Sequence, residues 1–244
     1  MRVLAVSDVH YEFKVYRGVD ESVAWGWLLR IVDSHKPDLL VSAGDWGEAL
    51  NPRDLEDLLE RTVVLTIYGN HDPLEVLAGA RNKLARLPVL LRDGKPLAHQ
   101  GLWIGGINGI TSMSGRPKRG IPRKTPSEFL EAAKVLVMPG RRLDVLLMHE
   151  VPALKFLYPR LRVGKGQVAA LEALRAIKPR VVVNGHLDWS CYTLHTLEWG
   201  DGLETLYLRV DSSQIHKCYA IMDFEKGVVT VYRDMEVLEE ASIP

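Results

Sequence analysis

The sequence predicts an α/β fold in which two sheets pack against each other and helices flank them. Three observations carry this. Over about the first 80 residues, short apolar runs alternate with helical patterns, the spacing of parallel βαβ units. The last third is instead a series of apolar segments joined by turn residues, as in antiparallel sheet. Finally, 47% hydrophobic and 25% charged residues in a chain of 244 suit one core-forming domain over residues 1–244 with no separate cap.

The elements follow in order. RVLAV (2–6) is a strand. From about Glu21 to His35, Val23, Trp27, Leu28 and Ile31 recur at helical spacing, and Pro37 ends the helix. DLLVSA (38–43) is the second strand. Asn51 then caps a helix with Pro52 at its first position and Asp54 at its third. TVVLTIY (62–68) is the third strand. Residues 87–109 carry an Asp93–Gly94 turn between apolar segments, a hairpin pattern. The Gly-, Pro- and cation-rich stretch 111–128 reads as a surface loop, closed by a Thr125–Pro126–Glu128 capping box for a helix to about Val137. RLDVLLMH (142–149) and PRVVVNGH (179–186) are buried strands with a helix of about Gln167 to Ile177 between them. LETLYLRV (203–210), IHKCYAIMDF (215–224) and VVTVYRD (228–234) form the antiparallel part, with a turn at Gly227.

Composition bounds the partners. Thirty-one basic residues balance 31 acidic ones, so global charge does not argue for tight nucleic-acid or membrane binding, although local clustering could still do so, and nucleic acid is possible but not favoured. Cys191 and Cys218 form no CxxC pair and are expected to be reduced or buried thiols. Met1 leads directly into a strand, so no cleaved signal is expected, and no run of 18 apolar residues suggests a membrane span. A cytoplasmic location is the resulting expectation.

Chemistry concentrates where strands end. SDVH (7–10), AGDW (43–46), YGNHD (68–72), LMHE (147–150) and VNGHLD (183–188) each follow an apolar run. In α/β sheets the ligand crevice lies beyond the carboxyl ends of the strands. Residues i and i+2 of an extended segment face the same way, so Asp8 and His10 share a direction, as do His186 and Asp188. Carboxylates, imidazoles and a carboxamide together suit two divalent ions. Such a pair can hold a bridging hydroxide and stabilise in-line attack on phosphorus.

The ordered blocks DVH, GD, GNHD, a strand-end His and GHLD resemble the calcineurin-like metallophosphoesterase superfamily over residues 1–188. The resemblance implies αββα layers and a dinuclear metal site at the strand ends. It implies that Asp8 and His10 bind one metal, that Asp45 bridges, and that Asn70, His149 and His186 bind the other. It places His71 at the scissile bond as leaving-group acid or charge stabiliser, oriented through its second ring nitrogen by Asp72. The family usually ends GHxH. Here Asp188 stands where the last His belongs, as a harder and weaker ligand to the first metal. The implied cofactors are two divalent ions, manganese before iron, nickel, zinc or magnesium. The implied substrate is a phosphomonoester, a phosphodiester or a nucleotide. A nuclease acting on DNA or RNA is the alternative, and a catalytically weak scaffold with a degraded metal site is a reading from another class. His71 argues against the scaffold.

Other residues have plainer readings. Glu150 reads as a group at the rim or behind the ligands. His35, His99, His195 and His216 lack motif context and read as surface or satisfied core. Trp46 and Trp189 suit either packing or the site mouth, where they would stack on an aromatic leaving group or base. Arg116, Lys118, Arg119, Arg123 and Lys124 form a cationic loop, read first as a solvated loop and otherwise as an attractor for phosphate.

Overall fold

A computed structural model describes residues 1–244. In chain order its elements are β1 (Arg2–Val6), β2 (Val15–Tyr16), β3 (Val19–Asp20), α1 (Ala24–His35), β4 (Leu39–Ser42), α2 (Pro52–Leu59), β5 (Val63–Thr66), α3 (Leu74–Gly79), β6 (Leu97–His99), β7 (Leu102–Ile107), α4 (Pro126–Leu136), β8 (Val145–Met148), α5 (Lys165–Ile177), β9 (Val181–Asn184), β10 (Tyr192–Glu198), β11 (Glu204–Val210), β12 (Cys218–Asp223), β13 (Val228–Arg233) and β14 (Glu236–Ser242). One sheet runs β14-β13-β12-β1-β4-β5 and the other β10-β11-β9-β8-β7-β6. Strands β1, β4 and β5 are mutually parallel, as are β7, β8, β9 and β11, so each sheet presents a run of carboxyl ends at one edge.

Alternation along the strands builds the layers. Val3 and Ala5 of β1 join Val41, Leu65, Val145, Leu147, Val181 and Val183 in the core between the sheets. Leu4 and Val6 face the other way, onto Trp27, Leu28 and Ile31 of α1 and Leu55 and Leu58 of α2. On the far side, Leu146 and Val182 pack on Phe129 and Ala133 of α4 and on Ala170 and Leu174 of α5. The order is therefore helices, sheet, sheet, helices.

Local signals act where expected. Asn51 Oδ1 accepts from the Arg53 and Asp54 N–H groups, and Thr125 with Glu128 closes a reciprocal capping box. The hairpin in 87–109, however, turns at Gln100–Gly101 rather than Asp93–Gly94. Asp93 is drawn instead to the Asn108 N–H and the Lys124 ammonium. Cys191 and Cys218 also depart from expectation: they form a disulfide, with Cα atoms 5.5 Å apart. Asp211 explains the approach, because its N–H donates to the Cys191 carbonyl and its carbonyl accepts from the Cys218 N–H. No helix is long and apolar enough to cross a membrane.

Candidate metal centre

The site lies between the carboxyl ends of β1, β4 and β5 in one sheet and of β8 and β9 in the other. Its backbone is unusual. Asp8 (φ 55°), His10 (φ 48°), Asp45 (φ 57°) and His186 (φ 74°) all adopt the left-handed region, which side-chain-bearing residues rarely enter and which clusters at functional sites. The left-handed turns fold each strand end back over the sheet edges. Asp8 N–H donates to the Gly44 carbonyl and His10 N–H to the Asp45 carbonyl, tying the first two loops together.

Two glycines make the close packing feasible. A β-carbon on Gly69 would run into Asp45 Oδ1 and the His149 ring, and one on Gly185 into Ser7 Oγ and Asp8 Oδ2. The glycine of GNHD and the glycine of GHLD therefore leave the space that the carboxylates occupy.

Hydrogen bonds decide which atoms remain for a ligand. Asp45 Oδ1 accepts the Asn70 N–H at 2.5 Å and the His71 N–H at 2.7 Å. Its Oδ2 is left facing His149 Nε2 at 3.3 Å and His10 Nε2 at 3.9 Å. His149 Nδ1 donates to the Ala43 carbonyl at 2.7 Å, which fixes the tautomer and leaves Nε2 as a lone-pair donor. Asn70 Oδ1 lies 3.3 Å from that same Nε2. Asp45 Oδ2, Asn70 Oδ1 and His149 Nε2 thus converge on one point, which a proton on the ring or a cation can satisfy. Asp8 is held by Ser7 Oγ at 2.7 Å and by the His186 N–H at 3.0 and 3.1 Å, with Oδ1 3.9 Å from His10 Nε2. The potential ligand atoms of Asp8, His10 and Asp45 lie within 4.8 Å of one another, as do those of Asp45, His149 and His186. Both sets contain Asp45.

Electrostatics agree. Burial raises the carboxyl of Asp8 to about 7 despite His149, with Asp45 adding repulsion. Burial also pushes the Asp45 carboxyl up, but His149, His10 and His71 outweigh it and hold it below the usual carboxylate range. Burial alone would lower His149, yet Asp45 and Asp8 raise it to about 10. Absent a cation, the cluster takes up protons to balance its own charge.

The family model for calcineurin-like phosphoesterases matches residues 1–188. The chain belongs to this family. As a calcineurin-like phosphoesterase it hydrolyses phosphoesters with divalent metal ions. No curated protein sequence matches it. Solved structures that share the fold include TT1561 of Thermus thermophilus, at 14% identity, covering 100% of this chain and 99% of that one with a TM-score of 0.58, and GAP50, the anchor in the inner membrane complex of Plasmodium, at 11% identity, 100% and 88% coverage and a TM-score of 0.52.

Two expectations about the phosphoesterase site are revised. Asp72 does not face the His71 ring. Its Oδ2 accepts the Asp45 and Gly69 N–H groups and its Oδ1 the Trp46 N–H, so it braces the GD and GNHD loops from behind. Nδ1 of His71 instead lies 4.0 Å from Glu48 Oε1. Asp188 lies outside both ligand sets. Its half-exposed carboxylate pairs with Arg17 at 3.0 Å, across the mouth on the β2–β3 hairpin. Trp46 is fully buried, with Nε1 donating to Thr66 Oγ1, and so lines no mouth, whereas Trp189 is half exposed beside Tyr158 in a separate cleft. Glu150 lies behind the ligands, where it accepts from the Thr111 N–H and hydroxyl and from the Gln167 amide.

The cavity over the site, about 310 Å3, also includes Lys14, Tyr16, Glu21, Asp211 and Ser213. Asp211 and Ser213 follow LETLYLRV, so the strand-end rule that found the other clusters points to them too. Lys14 and Tyr16 enter on the two-residue Arg17–Gly18 turn, a hairpin signal between Tyr16 and Val19.

Proposed function

We propose that this phosphoesterase holds two divalent cations, one by Asp8, His10 and Asp45 and the other by Asp45, Asn70, His149 and His186, and that it hydrolyses phosphomonoesters, small phosphodiesters or nucleotides in an open site within a single domain. The observation that carries this is Oδ2 of Asp45, the residue common to both sets, which no backbone N–H occupies and which faces His149 Nε2 at 3.3 Å and His10 Nε2 at 3.9 Å. Mixed oxygen and imidazole donors suit first-row divalent ions, and we place manganese before iron, nickel, zinc or magnesium. When bound, the ions would supply water activation and neutralise charge on the phosphoryl oxygens.

The remaining tasks fall to the chain. His71 is half-buried at the mouth, its ring centroid 5.4 Å from that of His10, with its backbone N–H fixed on Asp45. We assign it the proton that the departing oxygen takes up, with Glu48 beside Nδ1 supporting the protonated ring. Asp72 keeps the loops that carry Asp45 and Asn70 in register. Asp188, paired with Arg17, positions the hairpin rather than a metal.

The test is direct. Purified protein is stripped of metal, reloaded with manganese, nickel, zinc or magnesium, and offered nitrophenyl phosphate and bis-nitrophenyl phosphate. Turnover with about two bound metals per chain by elemental analysis is the expected result. No turnover with any metal, and no metal bound, leaves a scaffold. His71→Ala is expected to lose about 10²–10⁴-fold in turnover while keeping its metals; loss of the metals overturns the role given to His71.

A further inference from the structure

The cationic loop is neither remote nor shapeless. Lys118, Arg119 and Arg123 line a cleft of about 350 Å3 whose other walls include Asn70, His71 and His186. It therefore opens onto the second-metal half of the site, on the side where His71 stands. The loop is braced. Lys118 and Ile121 exchange two backbone hydrogen bonds of 3.0 Å around a left-handed Arg119–Gly120 pair (φ 52° and 79°), a tight two-residue turn. Arg123 Nε donates to the Arg116 carbonyl, and the backbone of Lys124 is bonded on both sides, to Ser112 and Ile110. Lys124 itself is spent on Asp93 and the Asn108 carbonyl.

Charge accounting singles out the three lining cations. Arg119 has one carboxylate, Glu48, at 4.0 Å, and that oxygen is shared with His71. Lys118 and Arg123 have none within 4.0 Å. Like charges held together by a braced loop repel, and an anion in the cleft relieves that repulsion. With the reacting phosphoryl group assigned to the metal site, these cations are available to a different anion, on the side where His71 stands.

We infer that Lys118, Arg119 and Arg123 bind a second phosphate carried by the leaving group, so that the preferred substrates are phosphoesters whose departing alcohol is itself phosphorylated. This rests on the phosphoesterase reading with His71 on the leaving-group side. In the reaction, water oxygen bonds to phosphorus, the bond to the leaving oxygen breaks, and that oxygen takes a proton. The second phosphate stays intact on the alcohol.

Matched pairs differing only in the extra phosphate test it: AMP against adenosine 3′,5′-bisphosphate, fructose 6-phosphate against fructose 1,6-bisphosphate, and the dinucleotide TpT against TpTp. In every pair that turns over, the phosphorylated member is expected to show at least about tenfold higher kcat/KM, mostly through KM. That advantage should fall with added salt. The double variant Lys118→Gln/Arg123→Gln should reduce it to about twofold or less, whereas Arg116→Gln, on the same loop but outside the cleft, should leave it intact. Thermal melting of each variant separates misfolding from lost recognition, and Arg119→Gln gives a second, milder perturbation. Turnover without a preference in the wild type, or a preference that survives the double variant, overturns the inference and leaves the phosphoesterase reading standing. No turnover of any pair with any metal overturns that reading and the inference together.

Discussion

The two halves of the ligand cluster are held to different degrees. Around His149 most ligands are fixed, for the imidazole is fully buried, its Nδ1 is committed to Ala43 and Asp45 accepts two backbone N–H groups, and only His186, the other imidazole of this half, is exposed. Around His10 the site opens. His10 is about a quarter exposed by side chain, and Asp188, which lines the same cavity, is half exposed and turned to Arg17. In the proposed two-ion reading, the difference predicts one ion held more tightly than the other. Where each ligand is fixed by a second contact, coordination costs little reorganisation; where it is not, the ion competes with water.

Perturbing the shared residue should affect both halves. Asp45→Asn is expected to lower turnover by about 10³-fold and to reduce bound metal below one ion per chain, read by steady-state kinetics and elemental analysis. If turnover persists with both ions bound, Asp45 does not bridge. Removing the brace from behind should be milder. Asp72→Asn leaves every proposed ligand in place but weakens the hold on the Asp45 and Gly69 N–H groups, so a loss of about 10–100-fold in metal affinity is expected in a chelator titration. Unchanged affinity would mean that the loops hold their register without it.

The open half has its own test. Asp188→His restores imidazole at that position and is expected to tighten the weaker ion about tenfold, whereas Asp188→Ala leaves both affinities nearly as they are, because the carboxylate serves Arg17. A loss of metal in Asp188→Ala would make Asp188 a ligand after all. A control far from both halves is His35, whose ring nitrogen meets the Tyr219 hydroxyl at 2.8 Å and whose pKa is lowered by burial and then by Arg2. Because the fold favours the neutral ring, its contribution is present above the ordinary histidine pKa and is lost as pH falls through the lowered one. His35→Gln keeps a polar partner for Tyr219 and is expected to shrink the fall in Tm between pH 7 and pH 5 by about 1–2 °C, with no effect on metal binding. An unaltered fall would remove His35 from the acid response.

Much of this arrangement can be read from the chain, and what escapes has physical reasons. β1, β4, β8 and β9 are continuous apolar runs because both faces of a parallel strand are covered, and the polar residue that follows each run marks its carboxyl end. β10 and β14 escape a reading of pattern, since they are sheet edges whose residues are largely exposed and show little alternation. Asp72 misleads because its place in GNHD suggests a partner for the neighbouring ring, whereas φ of Asp45 turns the GD loop so that its N–H groups reach that carboxylate first. Asp188 does line the same cavity as His186, as the rule for residues i and i+2 expects, but its carboxylate is taken by Arg17 on the β2–β3 hairpin, a partner that no local pattern announces.

The left-handed geometry at Asp8 and Asp45 governs how the site should be dissected. Alanine at Asp8 or Asp45 removes a donor and also imposes a torsional penalty of roughly 1 kcal/mol, because a β-carbon without a compensating polar contact disfavours that region. An alanine scan would thus fold local destabilisation into every apparent ligand energy. Asparagine visits the region as aspartate does and isolates the lost charge, while the difference between the glycine and alanine variants reports the backbone cost.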